Sequence, residues 1–353
     1  MNMVLSDEQR TLQEVCRDFA EKHAPRDQAR VALTDYRNTD RKLWSRIATE
    51  LGIAGLLIDE EFGGSSATIA DVAVVMTEFG RGLVTGPMLS TGVVAPLLLR
   101  HYPGDVATRL LTGIAAGDVV VAVAGLDAPN FDASEGGVSG TDGSVLHAAT
   151  ADTLLIRVSD ELGEGLYEVD ATAEGVTIEI QEPLSATHPV AVVTLDRVAA
   201  TRLGDIEPAL REAQPEIDVA VAAEQAGGMA ACIDLVASYA RERFAFGMPI
   251  GTFQGVKHPI AEMTADAELG DALVRWATQT GRGQLMGTAG MVARRHLDSS
   301  YASAARRVIQ LHGGIGFTWE HDAHLFYRHA LACTHAFGSA AQRDAELTSR
   351  LLP

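Results

Sequence analysis

Apolar residues at Leu12, Val15, Cys16 and Phe19 recur with the period of a helix that buries one face. Ser6 precedes the run and Gln9 follows three residues later, the order of a capping box, so a helix is predicted to start just after Ser6. Periodicity of the same kind returns around 41–51, 69–82, 90–101 and 105–116, and the whole of 5–120 reads as helical. Gly52 and the Gly63-Gly64 pair punctuate it as C-cap and turn, because glycine enters the left-handed region at little cost.

From about 118 to 205 the pattern changes to short β-branched runs, Val119–Val123, Thr153–Val158, Gly175–Ile180 and Val190–Leu195, separated by Gly, Asp, Ser and Asn turns. Within it Asn130–Gly143 is expected to be a mobile loop, a set of hairpin turns being the alternative. Helical periodicity resumes after Pro208 over roughly 216–243, 255–280, 284–312 and 320–350. The stripe Val219, Ala222, Ala226, Ala230, Ile233 and Val236 is small enough for close helix packing, and a four-helix bundle closes such a set. The predicted fold class is therefore α+β in three domains: N-terminal α-helical (1–117), middle β-barrel or sandwich (118–207) and C-terminal four-helix bundle (208–353).

Composition narrows the function. The chain has 353 residues, 47% of them hydrophobic, enough to bury a large core and too many for a disordered chain. Its net charge of −19 repels nucleic acid and anionic lipid, so neither is expected as a partner. Cys16, Cys232 and Cys333 have no metal-ligand spacing and read as small core residues in a reducing compartment. No run of 18 apolar residues occurs, and the N-terminus turns polar too soon for a signal peptide, so a soluble cytoplasmic protein is expected. His321, His324, His329 and His335 crowd one stretch, and 321 and 324 share a helix face. No carboxylate-backed ligand set accompanies them in the sequence; they read as surface or packing residues and no metal is expected.

Two segments carry candidate chemistry. One runs from Arg241 through Arg243, Phe246 and Gly247 to Ile250 and on through Gln254 to His258; the other is Gln310-Leu311-His312-Gly313-Gly314-Ile315-Gly316-Phe317. Glycines let a backbone approach a flat or phosphorylated ligand, and an arginine neutralises a diphosphate. By itself the glycine segment is weak evidence and reads first as a helix–helix turn needing positive φ. Together the segments resemble the acyl-CoA dehydrogenase family, whose pattern RxxFGxPIxxFQxVKHxxAxM is matched from Arg243 to Met263. Leu43-Trp44, Glu50–Leu56 and Glu60–Gly64 follow the family's order as well, so the resemblance covers nearly the whole chain. It implies an acyl-CoA substrate, an electron-transfer acceptor, and FAD shared across a subunit interface. It also implies that Arg243, Phe246, Gln254, Gln310, Gly313, Gly314 and Ser339 contact the cofactor.

The departures from the family are specific. Oxidation at Cα–Cβ needs a base for the α-proton, and the family places a glutamate at one of two positions. Here these are Phe337 and Ile217. Glu216 and Asp218 flank the second, but one residue along a helix rotates a side chain by about 100°; both read as negative charge in a helix's first turn. The family's TEPxxGSD-like loop is replaced by Gly125–Pro129 and Gly140–His147, and the tryptophan that meets the flavin ring is missing. Ala341 replaces a glutamine that meets adenosine, and Ala245 lacks a common hydroxyl. The expectation is a subunit of a hetero-oligomeric dehydrogenase, resembling actinobacterial enzymes for bulky steroid or lipid side-chain thioesters, that lacks its own catalytic glutamate and completes a partner's FAD site. The alternatives are a homotetrameric dehydrogenase with Glu216 or Asp218 as a displaced base, and a non-enzymatic scaffold on the same fold.

Overall fold

The structure, a computed structural model, describes residues 4–34, 41–281, 283–338 and 340–352. Helix α1 (Asp7–His23) opens at the predicted capping box: Gln9 N donates to Ser6 Oγ at 3.1 Å and Ser6 N to Gln9 Oε1 at 3.2 Å. Then come α2 (Arg26–Thr34), α3 (Arg41–Thr49), α4 (Ile69–Gly82), α5 (Ala95–Leu99) and α6 (Asp105–Ala116). The helix expected over 90–101 is a π-type turn, Met88–Val94, leading into α5. The wide turn points Thr91 at the sheet, where its hydroxyl donates to Val121 O at 2.9 Å and accepts from Val121 N at 3.1 Å.

Eight strands form one sheet: β1 (Val121–Ala124), β2 (Phe131–Ser134), β3 (Gly137–Leu146), β4 (Thr153–Asp160), β5 (Gly163–Asp170), β6 (Val176–Ile180), β7 (Val190–Val198) and β8 (Thr201–Asp205). The order is β6-β7-β3-β2-β4-β5-β8, with β1 parallel to β4 in the register Val121 to Thr153. The segment Asn130–Gly143, expected as a mobile loop, is instead the antiparallel β2–β3 hairpin. Its glycines serve close strand approach: a Cβ on Gly140 would overlap Asn130 O, and Phe131 and Val138 are buried on either side.

His147 ties this sheet to the helices. Its Nδ1 lies 2.9 Å from Ser90 Oγ and its Nε2 3.1 Å from Thr187 O. A carbonyl only accepts, so Nε2 carries the proton and Nδ1 accepts from the serine. Burial, with His188 adding to it, pushes the His147 pKa down to about 3. Above about pH 6.5 the imidazole is neutral whether folded or not; as pH falls toward 3 only the unfolded chain takes up the proton, so stability declines. The contribution of this group is a loss of about 1.4 kcal/mol per pH unit in that window, and His147→Asn, which tolerates the site's φ of 61°, is expected to flatten that part of the slope in urea titrations at pH 7 and pH 5.

The C-terminal helices are α7 (Ile206–Glu242), α8 (Gln254–Gln279), α9 (Gln284–His312), α10 (Ala323–His335) and α11 (Ala340–Leu351). Two expectations are corrected here. Helix α7 starts at Ile206 and runs through Pro215, so Glu216 and Asp218 are mid-helix and buried, not solvated first-turn charges. The helix expected over 320–350 is two helices, broken where Phe337 (φ 50°) and Gly338 (φ 117°) take left-handed backbone. By length and composition α7 is apolar enough to cross a membrane, yet most of that window is buried inside the fold.

Helix α4 crosses α7 at backbone contact. A Cβ on Gly227 would overlap Thr77 O, and one on Gly80 would overlap Glu224 O. Neither neighbour can withdraw, being backbone in a helix, so Gly227→Ala is expected to destabilise by about 3 kcal/mol or more, read as a lowered urea midpoint at unchanged slope.

Candidate cofactor and substrate site

The residues that resemble a cofactor-contact set gather at one end of the bundle. Helix α7 ends at Arg243, whose N–H donates to Tyr239 O at 2.8 Å, and the two-stranded turn β9 (Phe244–Ala245) and β10 (Met248–Pro249) leads by a 3-10 turn into α8 at Gln254. Phe246 (φ 52°) and Gly247 (φ 80°) form the tip, and Phe246 is 94% exposed. The end of α9 reaches the same place, since the His312 ring packs on Tyr239 at 4.4 Å, and a 3-10 turn over Gly313–Phe317 follows.

Arg243, Phe246, Gln254, Gln310, Gly313 and Gly314 are all exposed. Among the described residues the Arg243, Gln254 and Gln310 side chains have no hydrogen-bond or ion-pair partner. Gly313 takes φ +64°, and a Cβ on it or on Gly314 would meet nothing within 4 Å, which leaves open backbone to face a ligand. Ser339, the remaining member of the set, lies outside the described residues. One guanidinium, two amides and an open glycine turn suit a diphosphate and its nucleoside, presented outward. Phe244, Ile315, Phe317 and Trp319 are exposed around the two turns.

The chain's own sheet–bundle junction is built differently. A cavity of about 230 Å³ lies between the sheet and α10, walled by Leu126, Asp127, Asp142, His188, His335 and Phe337. A neighbouring space of about 440 Å³, reaching Asp218 and Met291, shares Leu126, Asp127 and Phe337 as its wall. Asp142 Oδ2 accepts from Gly125 N at 2.8 Å and its Oδ1 from Ser144 N at 3.0 Å, so these backbone donors are satisfied within the loop. Burial and then the Asp142 charge push the Asp127 carboxyl up, while Arg294 and Arg343 oppose them. Two carboxylates and no free cation along the smaller cavity's wall do not suit an anionic cofactor, and its volume is below that of ordinary ligand pockets.

The two positions at which the resemblance places a base hold Ile217 and Phe337. Ile217 is fully buried in α7, and Phe337 stands at the wall between the two cavities. Glu216 accepts from Arg100 at 2.9 Å, on the N-terminal helical side. Asp218 lines the larger cavity, but its Oδ1 accepts from the fully buried Arg294 at 2.7 Å and from Gln214 at 3.2 Å.

The sequence reading missed the residues that shape the Phe337 turn. Arg294 also donates to the carbonyls of Cys333 and Ala336, and the buried Arg343 donates to Gly338 O at 2.8 Å, Thr334 O at 3.0 Å and Asp298 Oδ2 at 2.8 Å. Two arginines thus hold the orphan carbonyls at the end of α10. The signal was present: Gly290, Arg294, Leu297, Asp298 and Tyr301 form one helical stripe in which two charges interrupt small and apolar residues. Also missed was a buried group around Glu224. Burial alone would raise the Glu224 carboxyl, but His188 and His329 outweigh it and hold it below the ordinary carboxylate range. His329 is therefore not a surface histidine, while His321, His324 and His335 stay outside this group.

Removing Asp218 leaves a guanidinium buried without its charge partner. Asp218→Ala is expected to cost about 3–5 kcal/mol in chemical denaturation, because the pair is desolvated.

Comparison with known proteins agrees with this architecture. Residues 6–118 match the family model "Acyl-CoA dehydrogenase, N-terminal domain", and residues 219–347 match "Acyl-CoA dehydrogenase, C-terminal domain". The chain is 30% identical to acyl-CoA dehydrogenase IpdE2 of Mycobacterium tuberculosis over 99% of its length and 98% of that protein's. It is 29% identical to IpdE2 of Mycolicibacterium smegmatis over 98% of its length and 100% of that protein's. The solved structure of the Tcur3481-Tcur3483 steroid ACAD G363A variant superposes with a TM-score of 0.87 at 28% identity, covering 98% of each chain. The chain belongs to the acyl-CoA dehydrogenase family.

Proposed function

We propose that this chain is one subunit of a hetero-oligomeric acyl-CoA dehydrogenase, and that it completes a partner's FAD site without supplying the catalytic base. The observation that carries the reading is an asymmetry. The cofactor-contact set from Arg243 to Gly314 is exposed and unengaged, whereas the chain's own junction places Asp127 and Asp142 on the wall of its smaller cavity and carries Ile217 and Phe337 at the positions where the resemblance puts a base. When bound, flavin supplies the hydride acceptor for Cα–Cβ oxidation of an acyl thioester. In this reading Arg243 neutralises the diphosphate, Gln254 and Gln310 orient the nucleotide, and Gly313 and Gly314 leave room for it. The exposed apolar side chains around them become interface. A bulky steroid or lipid side-chain thioester is the substrate class, supported by the likeness to a steroid ACAD whose name joins two polypeptides.

A second reading rests on Asp218, which lines the 440 Å³ space and would serve as a displaced base in a homotetramer. Its engagement by Arg294 weighs against it, since a base must present a free lone pair to the α-proton. Glu216 is bound by Arg100 and lines neither cavity.

The two readings separate in a visible spectrum. The chain purified alone is expected to carry little or no flavin, and to be yellow when co-expressed with a partner subunit from a flanking dehydrogenase gene. One tightly held flavin per chain without a partner would establish the homotetramer instead. In the co-expressed complex, Arg243→Ala is expected to lower flavin affinity about tenfold to a hundredfold, the worth of a charge-assisted contact of roughly 1.5–3 kcal/mol. Gln254→Ala is expected to weaken it less.

A further inference from the structure

We propose that His188, Glu224, His329 and Cys333 form a closed binding site for a single zinc-class divalent ion. The four come from three places: Glu224 from α7, His329 and Cys333 one turn apart on α10, and His188 from the segment between β6 and β7. All four are buried, and their ligand atoms lie within 4.8 Å of one another. His329 Nε2 is 3.0 Å from Glu224 Oε1 and 3.3 Å from Cys333 Sγ, and His188 Nε2 is 3.4 Å from Glu224 Oε2. A tetrahedral zinc with bonds of about 2.0 Å to nitrogen and about 2.3 Å to sulfur has ligand-to-ligand edges of about 3.3–3.6 Å. Three separations lie near that range, Glu224 meeting His329 through Oε1 and His188 through Oε2, and the wider pairs, within 4.8 Å, contract when the ion binds.

The outer atoms of both rings are held by hydroxyls. His329 Nδ1 is 2.8 Å from Tyr301 Oη, and His188 Nδ1 is 3.0 Å from Thr187 Oγ1. That arrangement turns both Nε2 atoms inward, as second-shell partners do at metal centres. The inner side is what hydrogen bonds alone leave incomplete: His188 Nε2 and Glu224 Oε2 are buried, face each other at 3.4 Å and make no well-formed hydrogen bond. A cation between them would engage both. One thiolate and one carboxylate balance a divalent ion, which leaves the buried unit neutral. Binding releases the Cys333 thiol proton, while the single ring proton of each neutral imidazole resides on Nδ1 and donates to Tyr301 Oη or Thr187 Oγ1, and no oxidant or reductant is required. Four protein ligands leave no open position, so the ion is structural and pins the sheet to the bundle. His188 also walls the 230 Å³ cavity, which supplies an access route.

The test is metal analysis of the full chain, alone and in its complex, purified without metal-affinity resin, followed by cobalt(II) titration. Expected are one zinc per chain after incubation with zinc and gel filtration, and a sulfur-to-cobalt charge-transfer band with tetrahedral d–d absorption on cobalt loading. Cys333→Ser is expected to abolish the charge-transfer band and weaken zinc binding at least about tenfold, and His188→Ala to weaken it similarly. His321→Ala, outside the cluster, should leave zinc content unchanged. A folded wild-type chain that retains no zinc and gives no sulfur-to-cobalt band overturns the proposal, and so does zinc retained equally by folded Cys333→Ser and His188→Ala. Should those variants fail to fold, the cobalt spectrum of the wild-type chain decides alone.

Discussion

The backbone-to-backbone crossing of α4 and α7 is the constraint on which the rest of the structure depends. Gly80 and Gly227 each face a carbonyl of the other helix, so the two axes approach as closely as helices can. That approach fixes α7 against the N-terminal helices, and α7 in turn carries Ile217, Asp218, Glu224 and, at its end, Arg243. Most of the buried residues on it are Ala, Val, Gly or Cys, Val219 to Ala223 among them, so dispersion contacts accumulate over many backbone atoms as well as over a few larger side chains. A helix packed this way tolerates little rotation, and its polar side chains are delivered to fixed places.

Those places are where burial demands compensation. Asp218 meets Arg294, and Asp298 meets Arg343 and Gln225. Both arginines also donate to carbonyls between Cys333 and Gly338. Buried ion pairs are weak contributors to net stability but costly to break, which makes them specifiers of one arrangement. Here the arrangement is the Phe337 turn, the wall between the two cavities. Asp218 is thereby coupled, through Arg294, to the backbone beside Phe337.

The cofactor-like surface follows different physics. It carries no internal compensation: an arginine and two glutamines stand exposed beside Phe246 and Phe317. Exposed apolar side chains around unengaged donors are what the proposed interface would bury. The same chain therefore holds a junction whose charged groups are mostly paired internally and an end whose polar groups are not, and the proposed division of labour between two subunits rests on that contrast.

Much of the fold was legible in sequence because local signals and burial agree there. The Ser6 box, the β-branched runs and the small-residue stripe of α7 are short-range patterns whose physical causes lie within a few residues. The motif from Arg243 to Met263 was legible because a turn, a cap and a helix start are coded contiguously. The sequence misled where a tertiary contact overrode a local preference. Glycines in 130–143 read first as a mobile loop but serve strand approach in a hairpin, and a helix expected from about 216 starts at Ile206, so the acids at 216 and 218 are buried mid-helix and not in its first turn. Only the tertiary structure decided the rest: that Arg294 and Asp298 belong to the buried stripe, that Phe337 falls at a left-handed break, and that His188, Glu224, His329 and Cys333 converge. The physical reason is that convergence joins residues up to 145 positions apart, from 188 to 333, through a crossing of helices and sheet that no sequence window contains.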